Sequence, residues 1–488
     1  MSEFSVKDMP EVFVSSTDIS KAVYAAVERG ELRKLASRLY TRNLDDDPER
    51  LVLKNWHFLI PSYYPDAIIT DRTAMENRPA QDGSVFIVSD KKRPTELPGL
   101  TFRPRKGAGR LDSDKPFIGG AHLASVPRAY LENMRISRTP KGEISRTLSR
   151  EEIEEKLDTI IRRSGEDAIN KLRDDARKIA PELGLKDEFE KLSILIGALL
   201  GTREDRIKST VGKARIAGQP YDPDRARLFE ELFSALRETI GNDRPSPKRD
   251  AQANANLAFF EAYFSNFIEG TEFTVAEAED IVFKGAIPEE RPDDAHDVLG
   301  TFRIVSDLSE MRQLPDNFDA FVSLLRRRHS TIMEMRPEKK PGQFKEKANR
   351  AGATEFVAPD LVKGTLEFGF GLLEALSEPF QRAAFMSVLT SEVHPFADGN
   401  GRVARVMMNA ELVAAEQERI IIPTAYRTDY LGALKAFSHN SRTEPLIKML
   451  TVAQNYTASI DWSSLEGARQ QLEATNAFTE GEDAKLKL

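Results

Sequence analysis

The sequence predicts a mainly α-helical fold preceded by an α+β N-terminal region, and three observations carry that reading. From 253 to about 458 the apolar pattern is helical almost without a break. Residues 148–200 are strongly helical, opening at the start signature SREEIEEKL. Before them, from about 50 to 135, the strand-like pieces DAIIT and VFIV stand between Pro- and Gly-bearing turns. No internal repeat is visible, which excludes solenoids and propellers.

Taken in order, residues 1–45 read as helix, turn, helix, then strand. In STDISKAVYAAVERG, Ser16, Thr17 and Asp18 are N-cap candidates and Gly30 is the stop. ELRKLASRLYTRN follows as a short extended segment. Residues 46–147 form the α+β region, and 148–240 a helical region whose last helix lies in GQPYDPDRARLFEELFSALRETI. A polar, breaker-rich linker, 241–252, precedes the helical domain of 253–460, and 461–488 form a C-terminal tail whose end, TEGEDAKLKL, is expected to fray.

Composition narrows the function classes. The 488 residues carry 70 Lys+Arg and 78 Asp+Glu, a net charge of −8, which argues against a wholly basic nucleic-acid coat while leaving room for a local basic patch. The absence of cysteine excludes disulfide scaffolds, thiolate zinc sites and cysteine nucleophiles. Apolar runs such as RIIIP fall far short of the ~20 residues a membrane helix needs, and the N-terminus lacks a signal-peptide pattern, so a cytoplasmic protein without a membrane partner is expected.

The chemistry concentrates in HPFADGNGRVAR, residues 394–405. Gly399-Asn400-Gly401 can bend tightly and runs into a helical pattern, so a glycine-bearing turn opens a helix whose free N–H groups suit a phosphate. Arg402 and Arg405 rise from that same end as fixed cationic donors. Asp398 is a hard oxygen ligand where a phosphate-bound Mg²⁺ would sit. His394, four residues earlier, can accept a proton near neutral pH. Singly, each would read as an ordinary surface or structural residue. Together they match, without a departure, His-x-Phe-x-Asp-Gly-Asn-Gly-Arg-x-x-Arg, the motif of the Fic family, and at roughly 5% per residue type seven such identities coincide by chance about once in 10⁹ positions.

This resemblance covers roughly 253–460 and implies a helical Fic domain that transfers the AMP of ATP to a Ser, Thr or Tyr hydroxyl of a target protein. It implies that His394 deprotonates the hydroxyl, that Asp398 holds Mg²⁺, that Gly399, Asn400, Gly401 and Arg402 cradle the phosphates, that Arg405 grips the γ-phosphate, and that Phe396 turns inward as a packing anchor. The phosphorylating Doc-like branch typically departs from Gly-Asn-Gly, which stands complete here.

Upstream, LAFFEAYFSNFIEGTEFT reads as a helix with Leu257, Phe260, Phe264 and Ile268 as its apolar stripe and Gly270 as its stop. Ser265 and Glu269 sit at i and i+4, and Glu269 lies in the last turn, where the helix dipole disfavours an anion. Ser265-x-x-x-Glu269-Gly270 resembles the inhibitory motif of Fic proteins, which implies an inhibitory helix at 253–270 whose Glu269 pairs with Arg405 and forces ATP to bind unproductively. The same resemblance implies that residues 345–360, bounded by Pro341 and Pro359, form a small β-hairpin flap on which the target's main chain docks by strand addition. Tyr430 and Asn440 fall where relatives contact the base; His57, His122, His296, His329 and His439 show no metal-ligand pairing and read as structural or exposed.

The first segment resembles, more loosely, the winged-helix start of abortive-infection antitoxins, with Arg33, Lys34 and Arg38 as basic positions and RLYT at the wing, although the Gly that usually precedes the Tyr is absent. That resemblance implies DNA as a partner of the N-terminal region, with the run 91–110, seven basic residues against one acidic, as a second basic face. Two readings follow: a self-inhibited protein adenylyltransferase, or a DNA-binding antitoxin-like regulator whose Fic half is a sensor or inactive. Removal of AMP by the same site, with Glu269 positioning water, is a third. Homo-oligomerisation is left open by the sequence.

Overall fold

The structure, a computed structural model, describes residues 5–138, 144–239, 242–481 and 484–487; the first four residues, Gly241 at the head of the expected linker, and Glu482, Asp483 and Leu488 of the expected tail lie outside it. Its chain divides into two units, 1–216 and 217–488. No helix among the described residues is long and apolar enough to cross a membrane.

The first unit opens with β1 (Val12–Val14), α1 (Ser20–Glu28), β2 (Arg33–Ala36) and β3 (Leu39–Thr41), the strands forming an antiparallel sheet in the order β1-β3-β2. This corrects the helix–turn–helix expected over 1–45: among the described residues a single α-helix lies there, while ELRKLASRLYTRN is extended as expected and folds back as a hairpin. Alternation of Leu39 and Thr41 inward with Tyr40 outward suits a strand and not a second helix. Nor do Ser16, Thr17 or Asp18 cap α1; Ile19 takes that place without a side-chain bond, while Gly30 ends it at φ +72° as expected.

Next come α2 (Pro48–Tyr63), β4 (Ile68–Ile69), α3 (Asp71–Glu76), β5 (Ser84–Val88), β6 (Thr95–Leu97), β7 (Leu100–Arg105), β8 (Lys115–Pro116), β9 (His122–Leu123) and α4 (Val126–Asn133). Their mixed sheet runs β6-β7-β5-β4-β9-β8, and fully buried β5 is its apolar centre. The run 91–110 supplies β6 and β7, and its Arg105 is spent on buried Asp71, at 2.6 Å, and on Glu132, while Lys91, Lys92, Arg93, Lys106 and Arg110 are exposed. Then α5 (Arg150–Leu183), opened by a Ser149–Glu152 capping box and broken at Gly165, packs with α6 (Lys186–Leu199) and α7 (Thr210–Ile216).

The second unit is helical: α8 (Pro223–Glu238), α9 (Ala251–Ile268), α10 (Val275–Lys284), α11 (Pro292–Ser306), α12 (Leu308–Met311), α13 (Phe318–Ile332), the hairpin β10 (Arg350–Ala351) and β11 (Thr354–Glu355), then α14 (Val362–Glu374), α15 (Pro379–Val393), α16 (Asn400–Ala414), α17 (Arg427–Asn440), α18 (Glu444–Ser459) and α19 (Leu465–Ala474). Helix α8 belongs to this unit rather than to the expected 148–240 region, because Leu228, Phe229, Leu232 and Leu236 enter the same core as α15 and α16. The expected tail likewise begins inside the fold: Trp462, Leu472 and Ala477 bury against Phe260, and Phe478 stacks on Phe264. Helix α9 is therefore not a one-sided amphipathic helix; Asn256 through Ile268 are all buried, and α9 sits at the centre of the unit.

Helices α11 and α13 approach so closely at Gly300 that a Cβ there would lie 2.5 Å from the Thr331 carbonyl and 3.0 Å from Ile332 Cα. Removing a mid-helix glycine normally gains ~0.5–1 kcal/mol, but forced overpacking against backbone costs about 1–3 kcal/mol and should win. Gly300→Ala should therefore lower the denaturation midpoint of the second unit. Trp462, buried in that unit, reports it alone when Trp56 of the first is replaced by Phe; an unchanged or raised midpoint would contradict the packing.

Candidate active site

The site is built where α15 ends, turns, and restarts as α16. His394 closes α15 with a left-handed backbone, φ +51°, which is uncommon for a residue with a Cβ. Phe396 then turns fully inward, its ring stacked on His329 of α13 at 3.7 Å. Asn400 ties the turn to itself, accepting from Phe396 N–H at 2.8 Å and donating to the Phe396 carbonyl at 2.9 Å. Gly399, φ +72°, precedes α16, and a Cβ there would meet Met333 Sδ at 2.7 Å, so glycine is required twice over.

His329, expected to be structural or exposed, is a buried strut of this turn. The Gly342 N–H donates to its Nδ1 at 2.9 Å, so Nε2 carries the proton and donates to the Asp398 carbonyl at 2.9 Å. Burial pulls its pKa to about 4 and keeps that neutral tautomer. With its carbonyl held, Asp398 turns a half-exposed carboxylate outward. Burial pushes that carboxyl up, but the Gly399 N–H at 2.7 Å and Arg402 outweigh it, and the group lies below its ordinary value.

The stem of the flap stitches the other side of the turn. Lys345 N–H donates to Pro395 O at 2.8 Å, and the Asn349 amide donates to Phe396 O at 2.9 Å. Burial, with Arg225 nearby, pulls the Lys345 amine to about 7. The flap itself is a hairpin, with Arg350 opposite Glu355 and Ala351 opposite Thr354 around Gly352. Phe356, just past it, lies flat on the His394 ring at 3.7 Å. Under this cover burial pulls His394 to about 4, so the imidazole is neutral at pH 7. Its Nδ1 lies 3.2 Å from the Ser391 carbonyl, which only accepts, so Nδ1 carries the proton and Nε2 keeps its lone pair for a substrate.

Across the turn, α9 meets α16. Arg405, 5% exposed, donates from Nε to Ser265 Oγ at 2.9 Å, from Nη2 to the Ser265 carbonyl at 2.7 Å, and from Nη2 to Glu269 Oε1 at 2.7 Å. Burial lowers the Arg405 pKa, but the Glu269 charge and Tyr430 outweigh it. Glu269 is the C-cap of α9, and Gly270 (φ +91°) closes the end with paired bonds from Gly270 N–H to Phe267 O and from Thr271 N–H to Asn266 O. A Cβ on Gly401 would overlap Glu269 Oε1. The carboxylate thus rests on the first turn of α16, where the helix would otherwise receive an anion.

The structure therefore gathers His394, Gly401, Arg405, Tyr430 and Glu269 around one cavity of about 350 Å³, with Ser265 and Gly270 fixing its α9 wall. Asn440, exposed at the far end of α17, does not line it. Arg402, expected in the phosphate cradle, has its guanidinium buried in an ion pair with Asp297 of α11, itself paired to Arg336 at 2.9 Å, and its Nε has no hydrogen-bond partner among the described residues. Asp297, Phe356 and Glu392 were missed by the sequence reading; the signal available for Asp297 and Glu392 was a carboxylate inside an otherwise apolar helix face. Among the described residues no three His, Cys, Asp or Glu side chains gather at metal-binding range. A Mg²⁺ bound mainly by phosphate oxygens and water needs only one or two carboxylates, which Asp398 fits.

Residues 318–412 match the Fic/DOC family. The chain is similar to Protein adenylyltransferase Fic of Nematostella vectensis, 27% identical over 239 residues, covering 47% of this chain and 54% of that protein. It is also similar to Protein adenylyltransferase Fic of Drosophila erecta, 25% identical over 259 residues, covering 50% and 49% respectively. The chain thus spans about half the length of these relatives. Among solved structures, a Fic domain containing signaling protein from Bacteroides thetaiotaomicron is 18% identical with a TM-score of 0.37, covering 50% of this chain and 97% of that one.

Because burial disfavours the charged imidazole, stripping the cover from His394 should raise its pKa. In Phe356→Ala the His394 Cε1–H resonance should titrate well above the value of about 4 and toward the ordinary ~6.5. An unshifted NMR titration would mean that Phe356 does not cover the ring in solution.

Proposed function

Since the chain carries a Fic domain, we propose that it is a protein adenylyltransferase held in check by its own Glu269. His394 Nε2 takes the proton of a Ser, Thr or Tyr hydroxyl on a target protein. The oxygen forms a bond to the α-phosphorus of ATP as the bond to pyrophosphate breaks. The α16 N-terminus and Arg405 bind phosphate oxygens, Asp398 holds Mg²⁺, and that ion supplies neutralisation of the phosphate charge. Exposed main chain of β10 and β11 pairs with the target's strand and sets its hydroxyl before His394.

The observation that carries this reading is the position of Glu269: its carboxylate pairs with Arg405 and overlies Gly401, so an anion of the chain itself stands on the phosphate site. ATP must then place its γ-phosphate elsewhere, and the α-phosphorus loses its line to the hydroxyl. The same carboxylate near the site could position water for removal of AMP, the reverse use of the machinery. The alternative of a DNA-binding regulator rests on the winged-helix resemblance alone, whose helix, stop glycine, strand and wing positions fall on α1, Gly30 and the β2–β3 hairpin.

Glu269→Gly should raise AMP transfer strongly, because alignment for attack is worth several kcal/mol of barrier. Arg405→Ala in that background should cancel the gain, making the pair non-additive. His394→Ala should lower transfer by ~10²–10⁴-fold through loss of the general base. Anti-AMP blotting of the chain and of a cell lysate with Mg²⁺ and ATP reads all three. A Glu269→Gly chain no more active than the wild type would refute the self-inhibition, and an undiminished His394→Ala chain would refute the base.

A further inference from the structure

The cavity has a second polar wall besides its phosphate end. Tyr430, beside Arg405, lies at the start of α17. Ser438, which also lines the cavity, stands eight residues further, about 12 Å along the helix axis at ~1.5 Å per residue. Between them Leu431 and Leu434 offer the apolar surface that a flat ring needs.

Ser438 is not free to choose its hydrogen-bond polarity. Its hydroxyl donates to Glu392 Oε1. Glu392 is 2% exposed, and its other oxygen lies 3.0 Å from Arg225 of α8. Burial raises the Glu392 carboxyl above its ordinary value, and Arg225 and the Ser438 hydroxyl offset part of that rise. The permanently charged guanidinium favours the carboxylate, which accepts and cannot donate. With its one hydrogen committed inward, Ser438 Oγ presents only lone pairs to the cavity. The wall is therefore an acceptor, and it suits a ligand edge that donates.

Resting on the reading of this cavity as a nucleotide site, we propose that Ser438, oriented by Glu392, is a specificity-determining residue that selects nucleotides whose base carries an exocyclic amine. Adenine meets it with N–H; hypoxanthine, which has a carbonyl at the same position, sets acceptor against acceptor and leaves both unpaired. Arg225 also donates to the Glu355 carbonyl at 2.7 Å, so the cation that fixes Glu392 holds the flap strand as well.

Calorimetric titration of the full chain with ATP and with ITP, in Mg²⁺ and without target, tests this. ATP should bind roughly tenfold or more tightly than ITP, the effect of leaving a polar pair unmatched. In Glu392→Gln the side-chain amide can donate to Ser438, releasing the serine hydrogen toward the cavity, and the ATP-to-ITP ratio should fall toward one. Ser438→Ala should also erase the preference. Equal affinities in the wild type, or tighter ITP, overturn the proposal, and that comparison needs no variant to fold. Binding of neither nucleotide overturns the nucleotide reading of the cavity and this inference with it, whereas ATP binding without preference overturns the inference alone.

Discussion

Arg405 is a guanidinium almost wholly inside the protein, and an uncompensated charge in that place would cost several kcal/mol. Its charge and donors are met from α9: the Ser265 hydroxyl, the Ser265 carbonyl and the Glu269 carboxylate. That requirement fixes the rotation of α9 against α16, and with it the place of Glu269 over Gly401. Much of the site's state follows from it. A buried arginine needs an anion beside it, and here the chain provides its own.

Around this contact the turn from His394 to Asn400 is over-determined. Its left-handed positions at His394 and Gly399 are held by Asn400, by His329 through the Asp398 carbonyl, and by the flap stem through Lys345 and Asn349. Each hydrogen bond adds only about 1 kcal/mol net. Several acting on seven residues suffice to keep a sparsely populated backbone in place. The result is a neutral imidazole with its lone pair directed away from Ser391, a carboxylate aimed at solvent, and a helix start over which Glu269 lies.

Helix α9 also explains why the unit resists a modular reading. It is buried on every side because α10, α11, α16 and the segment from Trp462 to Phe478 each cover part of it. A helix built into the core in this way cannot swing aside as a rigid arm without exposing Phe260, Phe264 and their partners. Freedom to rearrange is therefore confined to the end of the helix, where Glu269 is the partly exposed residue past the last buried turn.

The sequence by itself determined the twelve-residue turn and the end of α9, because their chemistry is local: glycines where the backbone must go left-handed, arginines one turn apart, a glutamate just before a stop glycine. It also determined the helical texture and the flap hairpin around Gly352. Only the tertiary structure decided that Asp297, about a hundred residues from Arg402, pairs with it, that Phe356 covers His394, and that Glu392 sets the polarity of Ser438. It also moved α8 into the second unit and replaced the expected N-terminal helix–turn–helix by a strand, one helix and a hairpin. The division has one physical cause. Backbone conformation and helix-end electrostatics act over a few residues and leave their mark in the local sequence, whereas the partner of a buried charge or ring is chosen by packing between segments that no local pattern connects.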